Sequence, residues 1–149
     1  MFEIESKNQD EITIITKKTK LTINISDFFI DASLGVGKIF GPGEFEIGDI
    51  SVRGIAIDGG RTIYDIESGG VHVGVIGGIE DGLDELDVSD ILCTSSARAI
   101  REIEPKMVIA MGNIDGMVAE LKLTAKVEKR IRVKNADSLP TAMELVALN

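Results

Sequence analysis

The stretch "VHVGVIGGIEDGL", Val71–Leu83, carries β-branched residues into a Gly-Gly pair and then into acids. Val71, Val73 and Val75 alternate with His72, Gly74 and Ile76, which predicts a strand with the valines on one face. Gly77 and Gly78 end that strand in a turn. A glycine turn at a strand end cradles a phosphate, positions a metal-binding carboxylate, or simply redirects the chain. Glu80, Asp81, Asp84 and Glu85 follow directly, and their charge repels an anion, so phosphate binding is set aside.

Working outward, "EITIIT" (Glu11–Thr16) and "KLTINI" (Lys20–Ile25) alternate apolar and polar residues and predict a half-buried hairpin. "DFFIDASLGVGKIFGPGEFEIGD" predicts short strands and turns, with Gly41-Pro42-Gly43 lying outside any element. "ISVRGIAI" and "RTIYDIE" read as strands joined by a hairpin turn at "DGG". Beyond residue 80 the period changes. "DILCTS" and "KMVIAMG" are buried strands, "SSARAIREIEP" is a short helix capped by Ser95 or Ser96 and stopped before Pro105, and "DGMVAELKLT" is a helix with Met117, Val118 and Leu121 on one face. "KVEKRIRVK" (Lys126–Lys134) reads as one strand whose Val127, Ile131 and Val133 face inward, and "MELVAL" closes the chain. The order is a strand-rich front followed by β-α-β-α-β, an α/β layered domain.

Composition narrows the functions. The 149 residues suit a single domain over 1–149, and no apolar run reaches the ~18 residues of a membrane span. The start, "MFEIESKNQDE", lacks the pattern of a signal peptide, and Cys93 is the sole cysteine, so a cytoplasmic protein is expected. Cys93 reads as a small buried apolar residue. A net charge of −9 argues against a nucleic-acid partner. "ASLGVGKI" fails as a P-loop, having Ala32 for the first glycine and Ile39 after the lysine, and "GVGKIFG" fails as a dinucleotide fingerprint because Pro42 prevents the helix. There is one histidine, His72, whereas zinc hydrolases use several imidazoles. His72 is read as a structural or surface residue. Asp27, Asp31, Glu80 and Asp81 are the carboxylates available to a hard cation, without the spacing of an EF-hand.

The succession "GPGEFEIGDISVRGI", "RTIYDIE", "GVHVGVIGG", "DVSDILCTS", "AIREIEPKMVIAMGN" and "VKNADSLPTAMELVAL", from Gly41 to Leu148, resembles the compact, lactonase-like branch of the metallo-β-lactamase-fold hydrolases. The resemblance implies an abbreviated αββα sandwich lacking part of the first half. It puts the family's bridging aspartate at Gly78 and the histidine of its "PMH" motif at Gly112, and no His-x-His-x-Asp-His loop lies between Ile25 and Gly41. On this reading the metal ligands are missing, no cofactor is expected, and "VIGGIEDG" is a ligand-bearing strand end kept as a turn, with glycine at 78 serving a positive φ. Gly77, Glu80, Asp81 and Asn113 are the expected residues of the remnant cleft. The leading expectation is a non-catalytic structural or protein-interaction module, homodimeric or with a protein partner through apolar surface left uncovered. The alternatives are a hydrolase of a small ester or lactone, metal-independent or with an atypical carboxylate site, and a small-ligand binder in the cleft.

Overall fold

The alternating segments of the front half fold into antiparallel ladders, and the continuous apolar segments of the rear half into parallel ones. A computed structural model describes residues 1–32 and 37–149; the middle of "ASLGVGKI" and the start of "GVGKIFG" lie outside the described residues. The strands are β1 (Phe2–Asn8), β2 (Glu11–Ile15), β3 (Lys20–Asn24), β4 (Phe29–Ala32), β5 (Gly37–Phe40), β6 (Gly43–Ile47), β7 (Ile50–Ile57), β8 (Arg61–Ser68), β9 (Val71–Gly77), β10 (Ile91–Thr94), β11 (Met107–Ala110), β12 (Ala125–Glu128), β13 (Ile131–Val133) and β14 (Glu144–Leu148). Two helices, α1 (Ala97–Ile103) and α2 (Ile114–Leu121), complete the set.

The first sheet is antiparallel, in the order β13-β1-β2-β3-β4-β5. The second is mixed, in the order β12-β14-β11-β10-β9-β8-β7-β6, antiparallel from β6 to β9 and parallel from β9 onward. One core fills the space between them: Ile4, Ile12, Ile14, Leu21, Ile23 and Ile30 from the first sheet meet Val52, Tyr64, Ile66, Val73 and Val75 from the second. Parallel strands are covered on both faces, which is why "ILCT" in β10 is buried at every position while β7 alternates. Both crossovers, β10-α1-β11 and β11-α2 onward to β14, step the same way across the sheet. Right-handed connection therefore sets α1 and α2 on the same outer face, where they touch.

The α/β sandwich is as expected, but two details differ. Among the described residues no α-helix covers the outer face of the six-stranded sheet, so the layers are helix, sheet, sheet. That face is not apolar, because the register lines up Glu5, Thr13, Thr22, Asp31 and Lys38 in a row across it, with the Thr13 and Thr22 hydroxyls 3.0 Å apart. This row hydrates as it stands, while Phe40, beside it on β5, is 65% exposed.

The second difference is at "KVEKRIRVK", which is two strands and not one. β12 pairs with β14 in the second sheet, and β13 pairs with β1 in the first. The chain changes sheets through Lys129 and Arg130, so Val127, expected to face inward, is 65% exposed while Val133 is buried. Charge accounts for the switch: Arg130 reaches Glu5 at 3.2 Å and Arg132 reaches Glu3 at 2.8 Å on β1. Alternation within the segment could not reveal that its halves serve different sheets.

Candidate functional site

The ends of β9, β10 and β11 converge with the β1–β2 turn on a cavity of about 360 Å³ lined by Gln9, Asp10, Ile25, Gly77, Gly78, Ser95, Met111, Gly112 and Asn113. One buried hydroxyl beneath the lining ties two of its walls together. Thr94, wholly buried, donates from Oγ1 to the Gly77 carbonyl at 2.7 Å and accepts the Ser96 backbone N–H at 3.0 Å. The Ser95 N–H also donates to the Gly77 carbonyl, at 2.9 Å. These bonds hold the β9 turn against the start of α1, which Ser96 caps by accepting the Ala99 N–H at 3.1 Å.

The turn is closed by the Ile79 N–H donating to the Ile76 carbonyl at 3.1 Å. Its glycine requirement falls at Gly77, with φ 57° and the Ile25 side chain 3.1 Å from where a Cβ would sit. Gly78 has no positive φ, contrary to the sequence reading, and a Cβ there would meet only the Ser95 hydroxyl, at 3.2 Å. Gly112 is the reverse: φ is 86°, and a Cβ would come 2.8 Å from the Gln9 amide oxygen, the movable end of a flexible side chain. Asn113, with φ 53°, precedes α2 and donates from Nδ2 to the Ser95 carbonyl at 3.1 Å. Asparagine tolerates this left-handed conformation.

An asymmetry follows between the two positions at which the resemblance places ligands. Gly78→Asp is expected to change stability by less than about 0.5 kcal/mol, whereas Gly112→His is expected to cost about 1–2 kcal/mol through its left-handed backbone. Chemical denaturation of the two variants checks this; equal costs would show that backbone conformation does not govern the site.

Gly77, Gly78, Gly112 and Asn113 thus line the cavity, but the two acids expected beside them do not. Glu80 accepts a short hydrogen bond from the Ser96 hydroxyl, and Asp81 forms an ion pair with Arg61 at 2.7 Å. Asp10 is the one carboxylate in the lining, and no imidazole is present. Among the described residues no group of three or more His, Cys, Asp or Glu is placed to hold a metal. Zn²⁺ sites need several nitrogen, sulfur or carboxylate donors on one point, so the residues of this cleft do not fit the metal. Cys93 is fully buried, and burial pushes its thiol far above the ordinary range, leaving it inert.

His72 lies elsewhere, on the helix-side face of the second sheet. Its Nδ1 is 3.1 Å from Oδ1 of Asp65, whose side chain is 8% exposed, and Arg53 approaches the other Asp65 oxygen at 3.5 Å. Arg53 also donates to the Glu85 carbonyl at 2.7 Å. His72, Asp65 and Arg53 border a cavity of about 370 Å³ with Glu44, Glu46, Glu67 and Ser51. The Ser51 hydroxyl bonds Glu46 at 2.9 Å rather than His72. The Arg53–Asp65 pair was not singled out from the sequence, yet its signal exists. The hairpin about "DGG" sets Arg53 opposite Asp65, and the next hairpin sets Glu67 opposite His72.

No family model matches the sequence, and no curated protein matches it. Among solved structures the chain is similar to a candidate Zn-dependent hydrolase of the metallo-β-lactamase superfamily from Thermotoga maritima. The TM-score is 0.69 over 99% of this chain and 98% of that one, at 13% sequence identity. The fold is therefore a compact metallo-β-lactamase-like α/β sandwich.

Proposed function

We propose that this chain is a non-catalytic protein on a metallo-β-lactamase-like scaffold, acting as a structural or protein-interaction module. One observation carries the reading: at the strand ends where the resemblance places metal ligands, the cleft is walled by Gly77, Gly78, Gly112, Ser95, Asn113 and Gln9, with Asp10 its only charge. Catalysis through a metal-bound water requires the donors that hold the metal, and side-chain amides and glycines do not replace them. The Thr94 hydrogen bonds support a scaffolding role, because they fix the strand ends without presenting a reactive group. The test is zinc content after incubation with excess Zn²⁺ and desalting, with hydrolysis of a small ester and a lactone measured alongside. No stoichiometric zinc and no turnover are expected. Retained zinc with chelator-sensitive turnover overturns the reading.

The His72–Asp65 contact favours a second reading, metal-independent hydrolysis with His72 as general base oriented by Asp65. Against it, Ser51 is committed to Glu46, and Glu44, Glu46 and Glu67 surround the cavity with negative charge. The same ester assay separates the two: turnover that resists chelators and vanishes in His72→Gln supports the second.

A further inference from the structure

We propose that β5 is the pairing edge of a symmetric dimer, in which Lys38 of each copy lies opposite the partner's Phe40. The inference names the partner for the interaction role above, a second copy of this chain, and rests on that half of the proposal.

The hydrogen-bond phase of the edge comes first. The Gly41 N–H donates to the Phe28 carbonyl at 3.1 Å, continuing a ladder in which Phe29 faces Phe40, Ile30 faces Ile39 and Asp31 faces Lys38. Antiparallel pairs alternate between bonded and non-bonded. Gly41–Phe28 and Ile39–Ile30 are therefore bonded pairs, and the N–H and C=O groups of Lys38 and Phe40 point away from β4. β5 ends its sheet, so among the described residues no strand takes these groups. An edge of this kind is a template for another strand.

Composition marks the same edge independently. The chain has five phenylalanines, one tyrosine and no tryptophan. Phe29 and Phe40 lie on β4 and β5, Phe45 on β6, and Phe28 just before β4, so four of the five phenylalanines gather where both sheets end. Phe40 is 65% exposed, with its ring centroid 5.5 Å from that of Phe29. Phe28 is held at φ 59°, an uncommon conformation for a bulky residue. Aromatic residues are enriched at interfaces and depleted elsewhere on protein surfaces.

Register selects the second copy as occupant. For two antiparallel β5 strands about a two-fold axis at Ile39, Lys38 exchanges its outward N–H and C=O with the partner's Phe40, and Phe40 with the partner's Lys38. Both are the outward-pointing residues, so the ladder keeps its alternation. Lys38 Nζ already sits 4.5 Å from the centroid of the Phe29 ring, and the pairing places the partner's Phe40 on its open side, a cation between two aromatic faces. The neighbouring registers are worse. One opposes Lys38 to the partner's Lys38, and the other opposes Lys38 to the partner's Pro42, which has no N–H.

The test is sedimentation equilibrium of the full chain at about 0.15 M salt, where the repulsion between net charges is screened. A concentration-dependent dimer is expected. Phe40→Lys, which opposes like charges, is expected to raise the dissociation constant roughly tenfold. Phe40→Glu, which opposes Lys38 with a carboxylate, retains the dimer, and Val127→Lys on the opposite edge leaves it unchanged. Backbone amides of Lys38 and Phe40 exchange with deuterium slowly in the dimer and fast on dilution, while Ile39 stays slow in both. A monomer at all concentrations, or a dimer indifferent to Phe40→Lys, overturns the proposal. A zinc-free monomer overturns the pairing and leaves the non-catalytic reading standing; a zinc-loaded, hydrolytic dimer does the reverse.

Discussion

Thr94→Val is expected to lower the stability of the chain by about 2–3 kcal/mol, although it changes the side-chain shape very little. The hydroxyl it removes is wholly buried and serves two backbone groups at once. The Gly77 carbonyl keeps a donor in the Ser95 N–H, but the Ser96 N–H is left without an acceptor in a buried place. Losing one bond and stranding one donor is what sets the magnitude. The effect should also be local. Amides from Ile76 to Ile79 and at the start of α1 should lose hydrogen-exchange protection before those of β2 and β3. Urea denaturation with exchange read residue by residue checks both parts. A variant as stable as the parent would mean that the strand ends are held by something other than this hydroxyl.

Alkaline stability is the second large effect. Tyr64, fully buried on β8 between the sheets, has its phenol pushed up to about 12 by burial, against 10.0 for a free tyrosine, with the Thr62 hydroxyl acting in the opposite, smaller sense. The unfolded chain therefore releases this proton first. The contribution is fully present below pH 10 and is lost as pH rises from 10 to 12, amounting to about 2–3 kcal/mol from this group. Tyr64→Phe removes the titrating group while keeping the ring. The difference between parent and variant stability should then fall by that amount across the interval, read as urea midpoints at a series of pH values. A constant difference would show that Tyr64 ionises as readily in the folded chain as in the unfolded one.

Much of the sandwich was legible because the residues that make a strand also announce its environment. Ile12, Ile14, Leu21 and Ile23 alternate because one side of their sheet is wet, and Ile91 to Thr94 do not alternate because neither side is. Order of segments added what alternation lacked, the likeness to a metallo-β-lactamase sandwich, and four residues it singled out, Gly77, Gly78, Gly112 and Asn113, line one cavity. What stayed hidden depended on contacts between distant parts. Glu80 looks like a cleft acid until the Ser96 hydroxyl is found on it, and Asp81 until Arg61 is. The sheet change inside "KVEKRIRVK" is decided by Glu3 and Glu5, more than a hundred residues earlier. Glycine misled in one place: both Gly77 and Gly78 look conformationally required, and only the first is.

The pairing of β1 with β13 sets a schedule for the newborn chain. Phe2 lies opposite Val133 and Ile4 opposite Ile131, so the outer side of β1 waits for a strand synthesised more than a hundred residues later. At ordinary rates of synthesis that interval is on the order of ten seconds, ample for the β2–β3 and β3–β4 hairpins to form, since such hairpins close in microseconds. Throughout it, one side of β1 is an open ladder with no neighbour. Glu3 and Glu5, before they meet Arg130 and Arg132, keep that ladder charged, which discourages two nascent chains from pairing there. The arginines that later fasten the strand thus neutralise a charge that had until then kept it apart.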